Sequence, residues 1–120
     1  MRTDLIIVGS GIIGMSLALS LSMKKKKVII VEKNFFNNLR TNRIYAISEK
    51  TKIFFENIDI WESIENINTL SGMNLFYRKF NEENLLSFEK KDSYSNIGYI
   101  VQSKDIISSL KKKVEKDQNI

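Results

Sequence analysis

The chain has 120 residues, 42% of them hydrophobic and 28% charged, enough for one modest domain, and a net charge of +5. It contains no cysteine and no histidine, which excludes disulfides, thiolate metal sites, a thiol nucleophile and the commonest general base. The positive excess sits largely in Lys24–Lys27 and Lys111–Lys113, each at the end of an expected helix where cations complement the dipole. Aromatic residues are not interleaved with these runs, so no nucleic-acid partner is expected.

In chain order, Asp4-Leu5-Ile6-Ile7-Val8 is a short apolar run ending at a glycine, the pattern of a strand buried on both faces of a parallel sheet. Ile12 to Met23 reads as a helix, with Ile13, Leu17 and Leu21 recurring at four-residue intervals and Gly14 and Ala18 alongside. Val28-Ile29-Ile30-Val31 is a second buried strand, with Glu32 at its carboxyl end. Together these form a βαβ unit, expected to be right-handed. The 19 uncharged residues from Leu5 to Met23, followed by four lysines, also raise a membrane span or a signal sequence. Three glycines and four serines dilute that stretch, and its order of β-branched run, glycines and Ala/Leu run favours strand, turn and helix.

Lys33 to Asn42 is polar and asparagine-rich, hence a loop. Ile44 to Ile58 reads as a helix with Ile47, Ile53, Phe54 and Ile58 apolar and Ser48 as a candidate N-cap. A short turn holds Trp61 and Ile64. Met73–Phe80 and Leu85–Phe88 read as strands joined by a polar turn, Gly98–Val101 as a further strand, and a last helix capped by Ser103 or Asp105 runs to about Lys116. A complete doubly wound sheet needs more parallel strands than these two, so the arrangement is expected of the first third of something larger.

The chemistry-bearing motif is Gly9-Ser10-Gly11-Ile12-Ile13-Gly14, a G-x-G-x-x-G holding three of the five glycines. It follows a strand and opens a helix, and Glu32 closes the next strand 18 positions after Gly14, the context of a dinucleotide site. Gly9 would make the tight turn, Gly11 would let a pyrophosphate approach the backbone, and Gly14 would let the helix pack closely. The helix N-terminus would present its free N–H groups to the phosphates, and Glu32 would accept from the ribose hydroxyls, disfavouring a 2′-phosphate. The fingerprint alone fits FAD and NAD equally.

Four stretches, Asp4–Gly14, Arg43-Ile44-Tyr45-Ala46-Ile47-Ser48, Ile60-Trp61 and Gly98-Tyr99-Ile100-Val101-Gln102, carry a resemblance over nearly the whole chain. They resemble the FAD-dependent aromatic hydroxylases of ubiquinone biosynthesis, within the flavoprotein monooxygenases typified by p-hydroxybenzoate hydroxylase. The resemblance implies an α/β fold: a Rossmann-type βαβ FAD-binding unit followed by helix, β-hairpin and helix, an incomplete p-hydroxybenzoate-hydroxylase-like fold. Residues 1–120 would be the N-terminal part of the FAD-binding domain, with 70–90 contributing strands to a substrate domain that is mostly absent. It implies FAD held by Gly9, Ser10, Gly11, Ile12, Ile13, Gly14, Glu32, Lys33, Arg43 and Gln102, with Arg43 helping to fix the flavin end. Gln102 stands where the family usually has a glutamate, and Lys104 where an arginine is common. The family's later Asp-Gly and Gly-Asp motifs do not occur in the chain.

The implied reaction is hydroxylation of the aromatic ring of a polyprenylated ubiquinone precursor, using O₂ and with NAD(P)H as transient reductant. No residue of the chain reads as a catalytic acid or base. The expected partner is a polyprenyl-phenol-type substrate. Peripheral contact with the inner membrane from the cytoplasm and membership of a ubiquinone-biosynthesis complex are further expectations. Rival readings are another FAD- or NAD-binding oxidoreductase and a truncated, non-catalytic fragment.

Overall fold

A computed structural model describes residues 2–33, 43–79, 82–89 and 96–120. Its first unit is the expected one. Strand β1 (Leu5–Val8) leads through the glycine turn into helix α1 (Ile12–Met23), and β2 (Val28–Val31) returns parallel to β1, with Leu5 opposite Val28 and Val8 opposite Val31. The uncharged stretch is thereby divided among a strand, a turn and a helix, and no helix of the described residues is long and apolar enough to cross a membrane.

One expectation about this unit is corrected, and the buried face of α1 emerges only in the structure. The row Ile13, Leu17 and Leu21 is not the buried face of α1: Ile13 is 84% exposed and Leu17 also faces out, while Met15, Ala18, Leu19 and Ser22 are buried. Every residue of α1 is uncharged, so apolar spacing could not choose a side; packing against the last helix chooses it. Nor are the strands buried on both faces. Val28 is buried, but Ile6, Val8 and Val31 are exposed, because the β1–β2 sheet has two strands and α1 covers one side of it.

The expected loop from Lys33 to Asn42 lies, beyond Lys33, outside the described residues. The expected helix from Ile44 to Ile58 is two elements. Ile44–Ile47 is strand β3, and helix α2 (Glu49–Asn57) starts after Ser48, whose side chain accepts a hydrogen bond from the Thr51 amide. The capping serine was legible; the β-branched residues before it are strand because β7 (Gly98–Gln102) is there to pair with them. β3 pairs antiparallel with β7, Ile44 opposite Gln102, and a short strand β4 (Asn68–Leu70), unforeseen in the sequence, pairs on the other side. Three polar-to-apolar residues carry no strand signal of their own, and β7 supplies the ladder.

The hairpin appears as β5 (Gly72–Lys79) and β6 (Glu82–Glu89), with Met73 opposite Phe88 and Leu75 opposite Leu86. Phe80 lies outside the described residues. In the last helix, α3 (Ser103–Val114), Gln102 rather than Ser103 or Asp105 holds the N-cap position, with no side-chain capping hydrogen bond. The Ser103 amide donates to the Arg43 carbonyl at 2.8 Å, so the chain turns from strand to helix without a spacer.

Met15 and Leu19 of α1 meet Ile106, Ile107 and Leu110 of α3 in one core with Phe55, Ile58, Ile60, Trp61 and Val101. Trp61 packs edge-on against Tyr99 with centroids 5.0 Å apart, an arrangement that contributes about 0.5–1.5 kcal/mol beyond its area. Beyond α3, Ser22 Oγ hydrogen-bonds to the Asp117 carboxylate at 2.7 Å and the Val28 amide donates to the Asn119 carbonyl, tying residues 117–119 to the first unit.

Candidate functional site

An open cleft of about 590 Å³ lies over the carboxyl ends of β1 and β2 and the start of α1. Gly9, Gly11, Ile12, Ile13, Gly14, Glu32 and Arg43 line it, together with Ile7, Val8, Leu17, Tyr45 and Ile107. The structure thus brings seven of the ten expected site residues to one surface. Ser10 lies beneath it, 2% exposed. Lys33 and Gln102 are exposed and do not line the cleft; Gln102 sits at the far end of β7, across from Ile44. Tyr45 and Ile107 were not foreseen. Tyr45 belongs to the arginine segment, which could have suggested it, whereas Ile107 reaches the cleft only because α3 folds against α1.

The three glycines answer to different neighbours. Gly9 has φ +106°, a conformation that side chains resist, and so forms the turn. At Gly14 a Cβ would drive into the Gly9 carbonyl, so this glycine lets the helix start close onto its own turn. Gly11 differs from both: its φ is −73°, open to any residue, and a Cβ there would meet no protein atom within 4 Å. Nothing in the described residues requires glycine at position 11, but a group seated in the cleft against the backbone would.

The helix start is equally suggestive. α2 is capped by Ser48 and has Glu49 in its first turn, whereas α1 has neither a side-chain cap nor an acidic residue there. Its first amides have no partner within the helix and carry the positive end of the dipole. With Arg43 on the same cleft, this arrangement is suited to an anion.

Opposite in sign is Glu32. The β1–β2 ladder continues past the strands through the Gly9 amide, which donates to the Val31 carbonyl at 2.8 Å. The next donor, the Ser10 amide, goes to Glu32 Oε2 at 2.8 Å, and Ser10 Oγ donates to the same oxygen at 3.2 Å. A carboxylate is therefore fixed beside the phosphate cradle, where it can accept from sugar hydroxyls. Ile7, Val8, Ile13 and Leu17 add apolar wall suited to a flat base. Cradle, cation, acceptor and apolar wall fit the ADP half of a dinucleotide.

A family model for an FAD binding domain matches residues 4–43, which span the whole βαβ unit and end on Arg43. No curated protein sequence matches the chain. Among solved structures the chain is similar to pqsL, "a probable FAD-dependent monooxygenase from Pseudomonas aeruginosa", with a TM-score of 0.69 and 17% identity, covering 98% of this chain and 31% of that one. It is also similar to the peptidyl tryptophan dihydroxylase QhpG, essential for tryptophylquinone cofactor biogenesis, with a TM-score of 0.59 and 9% identity, covering 98% of this chain and 24% of that one. The chain therefore spans about a third or less of the length of these two structures. Such identities speak for the fold, and the match over residues 4–43 speaks for the cofactor: this is an FAD-binding α/β unit with the fold found in FAD-dependent monooxygenases.

Proposed function

We propose that the chain supplies the adenosine-diphosphate half of the FAD site of a monooxygenase that hydroxylates the aromatic ring of a polyprenylated ubiquinone precursor. The observation that carries the cofactor part is Gly11, a glycine with no conformational or packing need, lying in a cleft between an uncapped helix start and a fixed carboxylate. The substrate and the use of NAD(P)H rest on the resemblance carried by the Arg43–Ser48 and Gly98–Gln102 segments. Bound FAD would supply the redox chemistry, accepting a hydride from NAD(P)H and activating O₂. The chain's own residues bind and orient: the amides of Ile12 to Gly14 take the pyrophosphate, Arg43 adds a cation, and Glu32 takes the ribose. The β5–β6 hairpin would contribute strands to a substrate-binding sheet. Peripheral contact with a membrane that holds the prenylated substrate, and a ubiquinone-biosynthesis complex, belong to the same reading.

The cofactor part is tested by titrating the full chain with FAD, NAD⁺ and NADP⁺ in a calorimeter. The chain alone should hold FAD only weakly through its ADP half, and NADP⁺ more weakly still, since the Glu32 carboxylate repels a 2′-phosphate. Preference for NADP⁺ over FAD would sink it. Mass-spectrometric detection of a hydroxylated polyprenyl phenol, formed with NAD(P)H by any longer polypeptide containing this chain, tests the substrate; absence of product with that class of phenol refutes it.

A further inference from the structure

We infer that Ser10 is a positioning residue that sets the recognition of the adenosine ribose by holding the Glu32 carboxylate. This rests on reading the cleft as the FAD site. Glu32 lines that cleft; Ser10 does not, and its side chain is buried beneath the turn at 2% exposure. The two are 22 residues apart, on the turn after β1 and at the end of β2, and meet only because the parallel strands are in register. Two donors of Ser10, amide and hydroxyl, converge on one oxygen, Glu32 Oε2, at 2.8 and 3.2 Å.

The amide bond would form with any residue at position 10. The hydroxyl is what serine adds. A carboxylate on a flexible side chain otherwise loses rotamer entropy when it takes up a ligand, and a second donor on the same oxygen removes that freedom before the ligand arrives. Donation to Oε2 also fixes the plane of the carboxyl group, and with it the direction from which sugar hydroxyls can be accepted. Ser10 therefore acts on the ribose diol through Glu32, without contact with the cofactor.

The test compares ADP with 2′,3′-dideoxy-ADP, which keeps the base and both phosphates but lacks the diol, by calorimetry on the full chain. Ser10→Ala should weaken ADP about three- to tenfold and leave the dideoxy ligand unchanged. Combined with Glu32→Ala, Ser10→Ala should add nothing further to the loss of ADP affinity. Ser10→Gly, which also lacks the hydroxyl and suits a tight turn, should behave alike and serves if the alanine variant folds poorly. Equal weakening of both nucleotides would show that Ser10 merely supports the turn, and no weakening of either would show that the hydroxyl is idle; each overturns the inference. Failure of the wild-type chain to bind ADP at all would overturn the FAD reading as well, which separates the two.

Discussion

Gly11 and Gly14 stand three residues apart in one motif, yet substitution should affect them in opposite ways. Gly14→Ala places a methyl group against the Gly9 carbonyl, a backbone atom that cannot swing aside, so the turn must open and the βαβ unit should lose stability by about 1–3 kcal/mol. Gly11→Val adds a larger side chain into open space at an ordinary φ; its unfolding midpoint should stay near wild type while FAD binding is lost. Thermal unfolding and FAD titration of the two variants check the pair together. Loss of stability in Gly11→Val without specific loss of binding would remove the main reason for placing a phosphate there. Glu32→Ala removes a charge-assisted acceptor, so FAD affinity should fall about 10- to 150-fold in the same titration. The motif residues were legible in the sequence because each has a local job fixed by chain order. Gln102 and Lys33 were harder to place, because adjacency to a motif does not say which way a strand end faces.

Elements show where local pattern stops deciding. The bounds of α1 at Ile12 and Met23 are legible in the sequence, but its buried face is not, since an all-uncharged helix has no polar side to mark the solvent. Ile44–Ile47 reads as helix because those residues continue an apolar spacing into α2, while the partner that makes them a strand lies more than fifty residues on, in β7. Ser48 remained visible through both readings, because a cap acts on its own next turn. α2 also carries a testable charge cluster: Lys52 Nζ lies 3.3 Å from Glu49 and 3.5 Å from Glu56, and 5.6 Å over the Tyr99 ring. The hydrogen bond to Glu49 raises the Lys52 ammonium above its ordinary 10.5. A pKa raised on folding contributes stability that is fully present below the unfolded value and is lost as pH rises through the folded one. Lys52→Met, which keeps most of the stem, should therefore be less stable than wild type by a few tenths of a kcal/mol at pH 8. In denaturant melts the difference should shrink above about pH 10.5; a gap that is constant with pH would assign it to packing instead.

At the scale of the whole molecule, apolar surface is the unbalanced quantity. Among the described residues the β5–β6 hairpin is paired only with itself. On one face of that hairpin Met73 and Phe88, Leu75 and Leu86 stand opposite each other, all exposed, with Tyr77 beside them. Ile6, Val8 and Val31 leave a second apolar face on the β1–β2 sheet. The sequence makes both strand pairs legible, and with too few parallel strands to close a sheet it also implies an uncovered apolar face at Val28–Val31, of which Val31 is exposed and Val28 is buried. Two-stranded hairpins are marginal in water unless something packs on them, and apolar faces of this kind drive association. The chain should therefore sediment as a concentration-dependent mixture of monomer and larger species. Replacing one cross-strand pair with opposite charges, Leu75→Lys with Leu86→Glu, keeps a favourable pairing across the hairpin while breaking its apolar face. That double variant should shift the distribution toward monomer in sedimentation velocity and leave ADP affinity unchanged, since the cleft lies on other elements. If the wild-type chain instead runs as a monomer at every concentration, the hairpin face is covered in solution by some rearrangement of this same chain, and its assignment to a substrate-binding sheet loses its structural support.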